Sequence, residues 1–207
     1  MELTQLSDLY PLVMAHVHGI DTFTLDQHLQ EASRAFCRET EAFRETLTRD
    51  LVASTATYVL TPSYDCRVKR VTDVHMLTAA DVTAGNQGTW IDPKYYRFNP
   101  ATNVLTFFSQ VVPSVAVTGG LVVEVVLVPQ VTQTGNNVIS QDFLNVNADG
   151  IMEYALFTLM KMPGQRWTNL DPITGAPFHY REYLKCVRDA MSEVAMQNTT
   201  EPLCLEG

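Results

Sequence analysis

Tyr154-Ala155-Leu156-Phe157-Thr158-Leu159-Met160-Lys161-Met162-Pro163-Gly164-Gln165-Arg166-Trp167 is an apolar helical run brought to a hard stop. Proline cannot continue a helix, and glycine accepts the left-handed turn that closes one. A polar step and a tryptophan follow, and Tyr180-Arg181-Glu182-Tyr183-Leu184-Lys185-Cys186-Val187 then carries a second periodic helix. The pair reads as a helical hairpin built for packing. Trp167, just past the forced stop, is expected to be largely buried as the anchor of the returning chain. No reactive constellation appears in the hairpin.

Upstream, Ser140 caps the first of these helices, with core positions at Phe143 or Leu144, Asn147 or Ala148, Ile151, Ala155, Thr158 and Met162. Gly150 inside it costs about 1 kcal/mol relative to alanine; it marks either a close helix approach or a tolerated weakness. The last helix starts near Pro177, and Ala176, Tyr180, Tyr183, Val187, Ala190 and Val194 form one stripe in steps of four and three. Near the N-terminus, residues 7–18 predict a short helix with Ser7 as cap and Pro11 in its first turn. Thr24 and Gln27 have the spacing of a capping box. An amphipathic helix follows from Leu25 to Phe43, with Leu25, Leu29, Ala32, Phe36 and Phe43 on its apolar face.

The hydrophobic period changes at Thr55. Thr55–Thr61 and Cys66–Val74 read as a strand and its return around Pro62-Ser63-Tyr64-Asp65, and Tyr95–Phe98 with Val104–Phe108 as a hairpin around Asn99–Asn103. Leu121–Val128 is apolar on both faces, the pattern of a central or covered strand. Residues 131–137 are polar and unpatterned, and helical periodicity resumes at Ser140. The predicted class is α+β, mainly α: a long-helix bundle with an inserted small antiparallel β-domain. Residues 1–50 and 138–198 form the helical domain, 51–137 the insertion, and 199–207 an extended tail.

The chain has 207 residues, 46% hydrophobic and 18% charged, enough to bury a proper core. Its 14 Lys and Arg stand against 23 Asp and Glu, a formal charge of −9. That balance disfavours gripping nucleic acid through phosphates, because counterion release needs clustered cations. The short basic run Arg67, Lys69, Arg70 reads as one strand face rather than a phosphate site. The longest apolar run, 111–128, is broken by Pro113, Gly119, Gly120 and Glu124, so no bilayer span is expected. The acidic N-terminus is unlike a signal peptide, and export is not expected. Cys37, Cys66, Cys186 and Cys204 lack paired spacing and read as reduced, mostly buried thiols. His16 and His18 fall about 200° apart on a helix; His28, His75 and His179 stand alone. Catalytic, cofactor and metal sites are all expected to be absent.

The order helix, β-domain, polar loop, long helix, Met-Pro-Gly…Trp and final helix resembles the head-to-tail adaptor (connector) proteins of tailed bacteriophages. The resemblance covers most of the chain. It is carried by Phe36-Cys37-Arg38-Glu39-Thr40 with Phe43, by Ala56-Thr57-Tyr58-Val59-Leu60-Thr61-Pro62, by the helix-stop-Trp unit Ile151–Trp167, and by Phe178, Tyr180 and Tyr183. Two departures stand out: the loop Asp171-Pro172-Ile173-Thr174-Gly175 is long, and the tail beyond Met196 has no counterpart.

The resemblance implies a non-enzymatic homo-oligomeric ring, usually twelvefold, under the portal protein. Such a ring extends the DNA channel towards a tail or nozzle protein and joins the head after genome packaging. Genomic DNA would pass without specific binding, and no membrane or cofactor is involved. The protein would be made in the host cytoplasm and reside in the virion neck. Candidate acidic residues for the channel are Glu31, Glu39, Glu41, Glu182, Asp189 and Glu193. Candidate intersubunit residues are Arg34, Arg38, Arg181 and Arg188. Leu203, Cys204 and Leu205 are candidates for docking the tail on the portal or a neighbouring subunit. Two alternatives stay open: a neck or tail-completion ring that does not touch the portal, and a phage-encoded hydrolase with an unrecognised carboxylate pair.

Overall fold

Asp21 decides where the first long helix begins. Its carboxylate accepts the Thr24 N–H at 2.9 Å and the Thr24 hydroxyl at 2.8 Å, which places the helix N-terminus three residues ahead of the expected Thr24 cap. A carboxylate is a stronger acceptor than a hydroxyl, and its charge complements the helix dipole. Asp21 is fully exposed, and the Thr24 hydrogen bonds hold its carboxyl below the usual range. The computed structural model describes residues 3–63, 65–130 and 138–199. They divide into two units: Phe43–Val128, and Met1–Ala42 together with Pro129–Gly207.

In chain order, the second of these units begins with strand β1 (Leu3–Gln5), a 3-10 turn over Leu6–Leu9, helix α1 (Tyr10–Met14) and helix α2 (Thr22–Thr40). The continuous helix expected over 7–18 is therefore split. Asp8, not Ser7, closes its first turn by accepting the Gln5 N–H at 3.3 Å. Helix α2 ends at Glu41, in the left-handed conformation at φ 55°, so Phe43 lies beyond it. Leu25, Leu29, Ala32 and Phe36 are buried as the stripe predicted.

The Phe43–Val128 unit holds strands β2 (Arg44–Leu51), β3 (Thr57–Val59) and β4 (Cys66–Met76), the short helix α3 (Ala79–Ala84), and strands β5 (Thr89–Trp90), β6 (Tyr96–Asn99), β7 (Val104–Phe107) and β8 (Val117–Pro129). One sheet runs β2-β8-β4-β5 and the other β3-β7-β6. β8 lies between β2 and β4, which is why Leu121, Val123, Val125 and Leu127 are all buried. The β6–β7 hairpin forms where the turn-rich Asn99–Asn103 segment predicted, with Asn99 opposite Val104. Tyr58 and Tyr96 both set ring edges against Phe107, at 5.7 and 6.5 Å.

After the unit Phe43–Val128 come strand β9 (Val138–Ser140), antiparallel to β1, and helices α4 (Gln141–Met160) and α5 (Ala176–Thr199). Ser140 caps α4 as predicted, accepting the Phe143 N–H at 3.4 Å. The polar segment 131–137 and the tail from residue 200, with Leu203, Cys204 and Leu205, lie outside the described residues.

The predicted class, a mainly α long-helix bundle with a small inserted β-domain, is corrected by this architecture. The chain is 44% helical and 26% strand, with two antiparallel sheets of four and three strands. Two segments account for the difference. Residues 44–51 form the eight-residue edge strand β2, in register with β8 from Arg44–Val126 to Arg49–Leu121; their buried Leu47 and Leu51, four apart, suit a helix as well as a strand. Thr55–Thr61 and Cys66–Val74 do not pair as strand and return, because β3 joins β7 while β4 joins β8.

Candidate functional site

Helices α2, α4 and α5 pack on one another around Gly150. A Cβ built on Gly150 would stand 2.4 Å from Cε2 of Phe36 and 3.1 Å from the Cβ of Cys186. The glycine is thus a close helix approach, not a tolerated weakness. From this contact an aromatic seam runs along the helices. Phe36 sets edges against Phe143 at 6.5 Å and Tyr183 at 6.4 Å; Tyr183 meets Tyr154 at 4.8 Å, and Phe157 meets Tyr180 at 4.7 Å. Burial, reinforced by the nearby Glu39 carboxylate, pushes the Tyr183 phenol well above its ordinary range.

His179, which stands alone in the sequence, is buried and lies 2.6 Å from the Glu153 carboxylate, with the His16 ring edge-on at 5.9 Å. His28 Nδ1 lies 2.8 Å from the Thr158 hydroxyl, and burial lowers its basicity. The Tyr10 hydroxyl donates to Asp26, and burial followed by that carboxylate raises the Tyr10 phenol. Cys37 and Cys66 are buried, and desolvation pushes the Cys66 thiol up to about 12. Among the described residues, no three His, Cys, Asp or Glu side chains converge as a metal site would require.

The hairpin between α4 and α5 is anchored by Asn169 more than by Trp167. The Asn169 N–H donates to the Met160 carbonyl at 3.1 Å, and its own carbonyl accepts the Ala176 N–H at 2.9 Å, tying the end of α4 to the start of α5. Asp171 accepts the Ile173 and Thr174 N–H groups at 2.8 and 3.0 Å, so the long loop is an ordered turn. Trp167 is only half-buried. A tryptophan after a helix stop marks the return without sealing it, because backbone bonds supply the tie.

Helix α5 presents two unlike flanks beside its buried seam of His179, Tyr183, Val187 and Ala190. Tyr180, Leu184 and Met191 are 40%, 40% and 51% exposed, and at 100° per residue they share one flank with Arg181 and Arg188. Tyr180, at the edge of the predicted stripe, is thus only partly covered. The other flank carries Cys186, Asp189 and Glu193. With Asp149 and Gly150 of α4 and the Phe36 ring, it encloses a cleft of about 190 Å³, with Val146, 66% exposed, on its lining. Burial, then Asp149 and Glu153, raises the Cys186 thiol.

The predicted site residues scatter over the helices. Arg34 is half-buried and Arg38 exposed on α2; Arg181 is exposed and donates to the Pro172 carbonyl at 2.7 Å; Arg188 is exposed. Glu31, Glu39, Asp189 and Glu193 are exposed. Glu41 and Glu182 are half-buried, and Glu182 pairs with Lys185 at 2.7 Å. Of the predicted acids, Asp189 and Glu193 meet at this cleft, joined there by Asp149. The exposed Leu184 and Met191 were not anticipated; their signal was that both are apolar yet fall off the predicted stripe.

The chain matches the family described as SU10 adaptor protein over residues 4–203. It has no match among curated proteins. The chain belongs to the SU10 adaptor family, one of phage head-to-tail adaptors. Membership implies a structural component of the virion that interacts with other phage structural proteins. Among the described residues no helix is long and apolar enough to cross a membrane.

Proposed function

We propose that this adaptor-family member assembles as a ring, twelvefold to match its portal, beneath the DNA-filled head of a tailed bacteriophage. The ring extends the DNA channel and joins the packaged head to the tail or nozzle protein. The observation that carries the reading is the family match, which spans 4–203 of 207 residues and so covers both units. The exposed apolar residues of α5 support it, since Leu184 and Met191, with the outer part of Tyr180, line up on one flank of the helix as a contiguous apolar strip of the kind that marks an interaction surface.

The role is structural rather than enzymatic. In the ring, acidic helical residues among Glu31, Glu39, Glu41, Glu182, Asp189 and Glu193 face the lumen, where negative charge weakens attraction to DNA and lets it slide. Leu203, Cys204 and Leu205 dock the tail against the portal or an adjacent subunit.

Imaging by cryo-EM of virions, or of portal complexes with added protein, tests the assignment. The expected result is a ring of this chain directly under the portal. Density confined to another part of the particle, or none in the neck, would overturn it. Removing residues 199–207 should leave the subunit folded yet impair attachment; normal occupancy by the truncated protein would refute the docking role of the tail.

A further inference from the structure

The two flanks of α5 are chemically complementary to each other. On one, Arg188 stands beside the exposed apolar residues Tyr180, Leu184 and Met191. On the other, three carboxylates, Asp149, Asp189 and Glu193, rim a cleft whose lining includes the apolar Phe36, Gly150 and Ala190. None of the three carboxylates is ion-paired among the described residues. Nearby cations are committed elsewhere, Lys185 to Glu182 and Arg181 to the Pro172 carbonyl. Arg188 therefore remains as the guanidinium of this helix available to a partner.

A single surface that carries both halves of a contact on opposite flanks cannot satisfy itself. It can satisfy the next copy. Such a contact is heterologous, head to tail, and closes into a ring when the rotation between copies permits. We propose that the Tyr180–Leu184–Met191 flank of one subunit seats against the acid-rimmed cleft of a second copy, with Arg188 entering among Asp149, Asp189 and Glu193. The apolar stem of the arginine suits the floor, and its planar fork suits the carboxylates at the rim. This inference rests on the ring reading and assigns the surfaces that build it.

Charge reversal tests it on the full-length chain, with assembly followed by sedimentation velocity and by occupancy on the portal of the same phage. Arg188→Glu and Asp189→Arg are each expected to weaken assembly about tenfold or more, as truncation or reversal at a paired interfacial charge does. Arg188→Glu combined with Asp189→Arg, which exchanges the charges on both flanks, is expected to restore it. Leu184→Glu probes the apolar flank independently. All three positions changed, Leu184, Arg188 and Asp189, are exposed, and circular dichroism melting checks that each of the four variants folds.

Single reversals that assemble like the parent, or a double variant no better than either single, would overturn the proposed contact while leaving the ring intact. So would single reversals that lose only the portal while self-association persists, since the flank would then belong to the portal interface. A parent chain that forms no oligomer either free or on the portal would overturn the contact together with the ring reading beneath it.

Discussion

Gly150 lies so close to Phe36 that a Cβ there would stand 2.4 Å from the ring carbon Cε2. The contact explains why a residue that weakens α4 by about 1 kcal/mol sits at its middle. Phe36 in turn touches Phe143 and Tyr183, so a displaced ring disturbs the packing of three helices at once. Gly150→Ala is expected to destabilise the protein by up to about 2 kcal/mol, since overpacking of about 1–3 kcal/mol outweighs the gain of about 1 kcal/mol in helix propensity. Urea denaturation measures the difference. A variant more stable than the parent would show that Phe36 swings aside at no cost.

Gly175 faces the Asn169 carbonyl that holds the start of α5: a Cβ on Gly175 would fall 2.5 Å from that oxygen. Gly175→Ala must move backbone, not a flexible side-chain end, and should cost about 1–3 kcal/mol. Trp167→Ala, at a half-buried position, should cost about 1–2 kcal/mol, below the ~3 kcal/mol floor for a fully buried aromatic. Equilibrium unfolding of the two variants side by side gives the ranking. A loss at Trp167 well above the loss at Gly175 would return the anchoring role to the indole.

How far the sequence could be read depended on whether a signal was local. The stop at Pro163-Gly164, the Ser140 cap and the Asn99–Asn103 turn each act within a few residues, and each appears where the pattern placed it. Strand pairing is not local. Nothing within Thr55–Val74 reveals that β3 chooses β7 and β4 chooses β8, because the partners are tens of residues away and selected by burial. The same holds for the surface. Asp149 and Glu193 are 44 positions apart and meet at one cleft only because Gly150 lets α4 approach α5 and α2. Tyr180 fitted the predicted stripe yet is 40% exposed; a stripe defines a face, and tertiary packing decides how much of it is covered.

His28 should make the fold sensitive to mild acid. The Thr158 hydroxyl donates to the Ala155 carbonyl at 2.9 Å, so it accepts from His28 Nδ1–H. Burial lowers the His28 pKa below its ordinary 6.5. The unfolded chain then takes up a proton as pH falls through about 6.5, while the folded one does not, so stability declines with falling pH until the lowered folded value is reached. Above that window both states are neutral and His28 contributes no slope. Urea denaturation at pH 7.5 and 5.5 should show a smaller acid-induced loss for His28→Gln than for the parent. Equal losses would mean that other groups carry the dependence.

DNA should bind this protein weakly. Non-specific affinity comes from cations placed against phosphates, and here 14 basic side chains are outnumbered by 23 acidic ones. The densest basic run does not change the balance: on β4, Arg67 is exposed, but Lys69 is half-buried, and both Lys69 and Arg70 already interact within the protein. Fluorescence anisotropy with a labelled duplex should therefore give a Kd no tighter than the ~1–100 μM typical of non-specific contacts at physiological salt. The affinity should weaken further as salt rises, with a shallow slope because few phosphates are neutralised. Sub-micromolar binding at physiological salt would contradict a channel past which DNA slides, and would redirect attention to Arg67 and its neighbours as a true phosphate site.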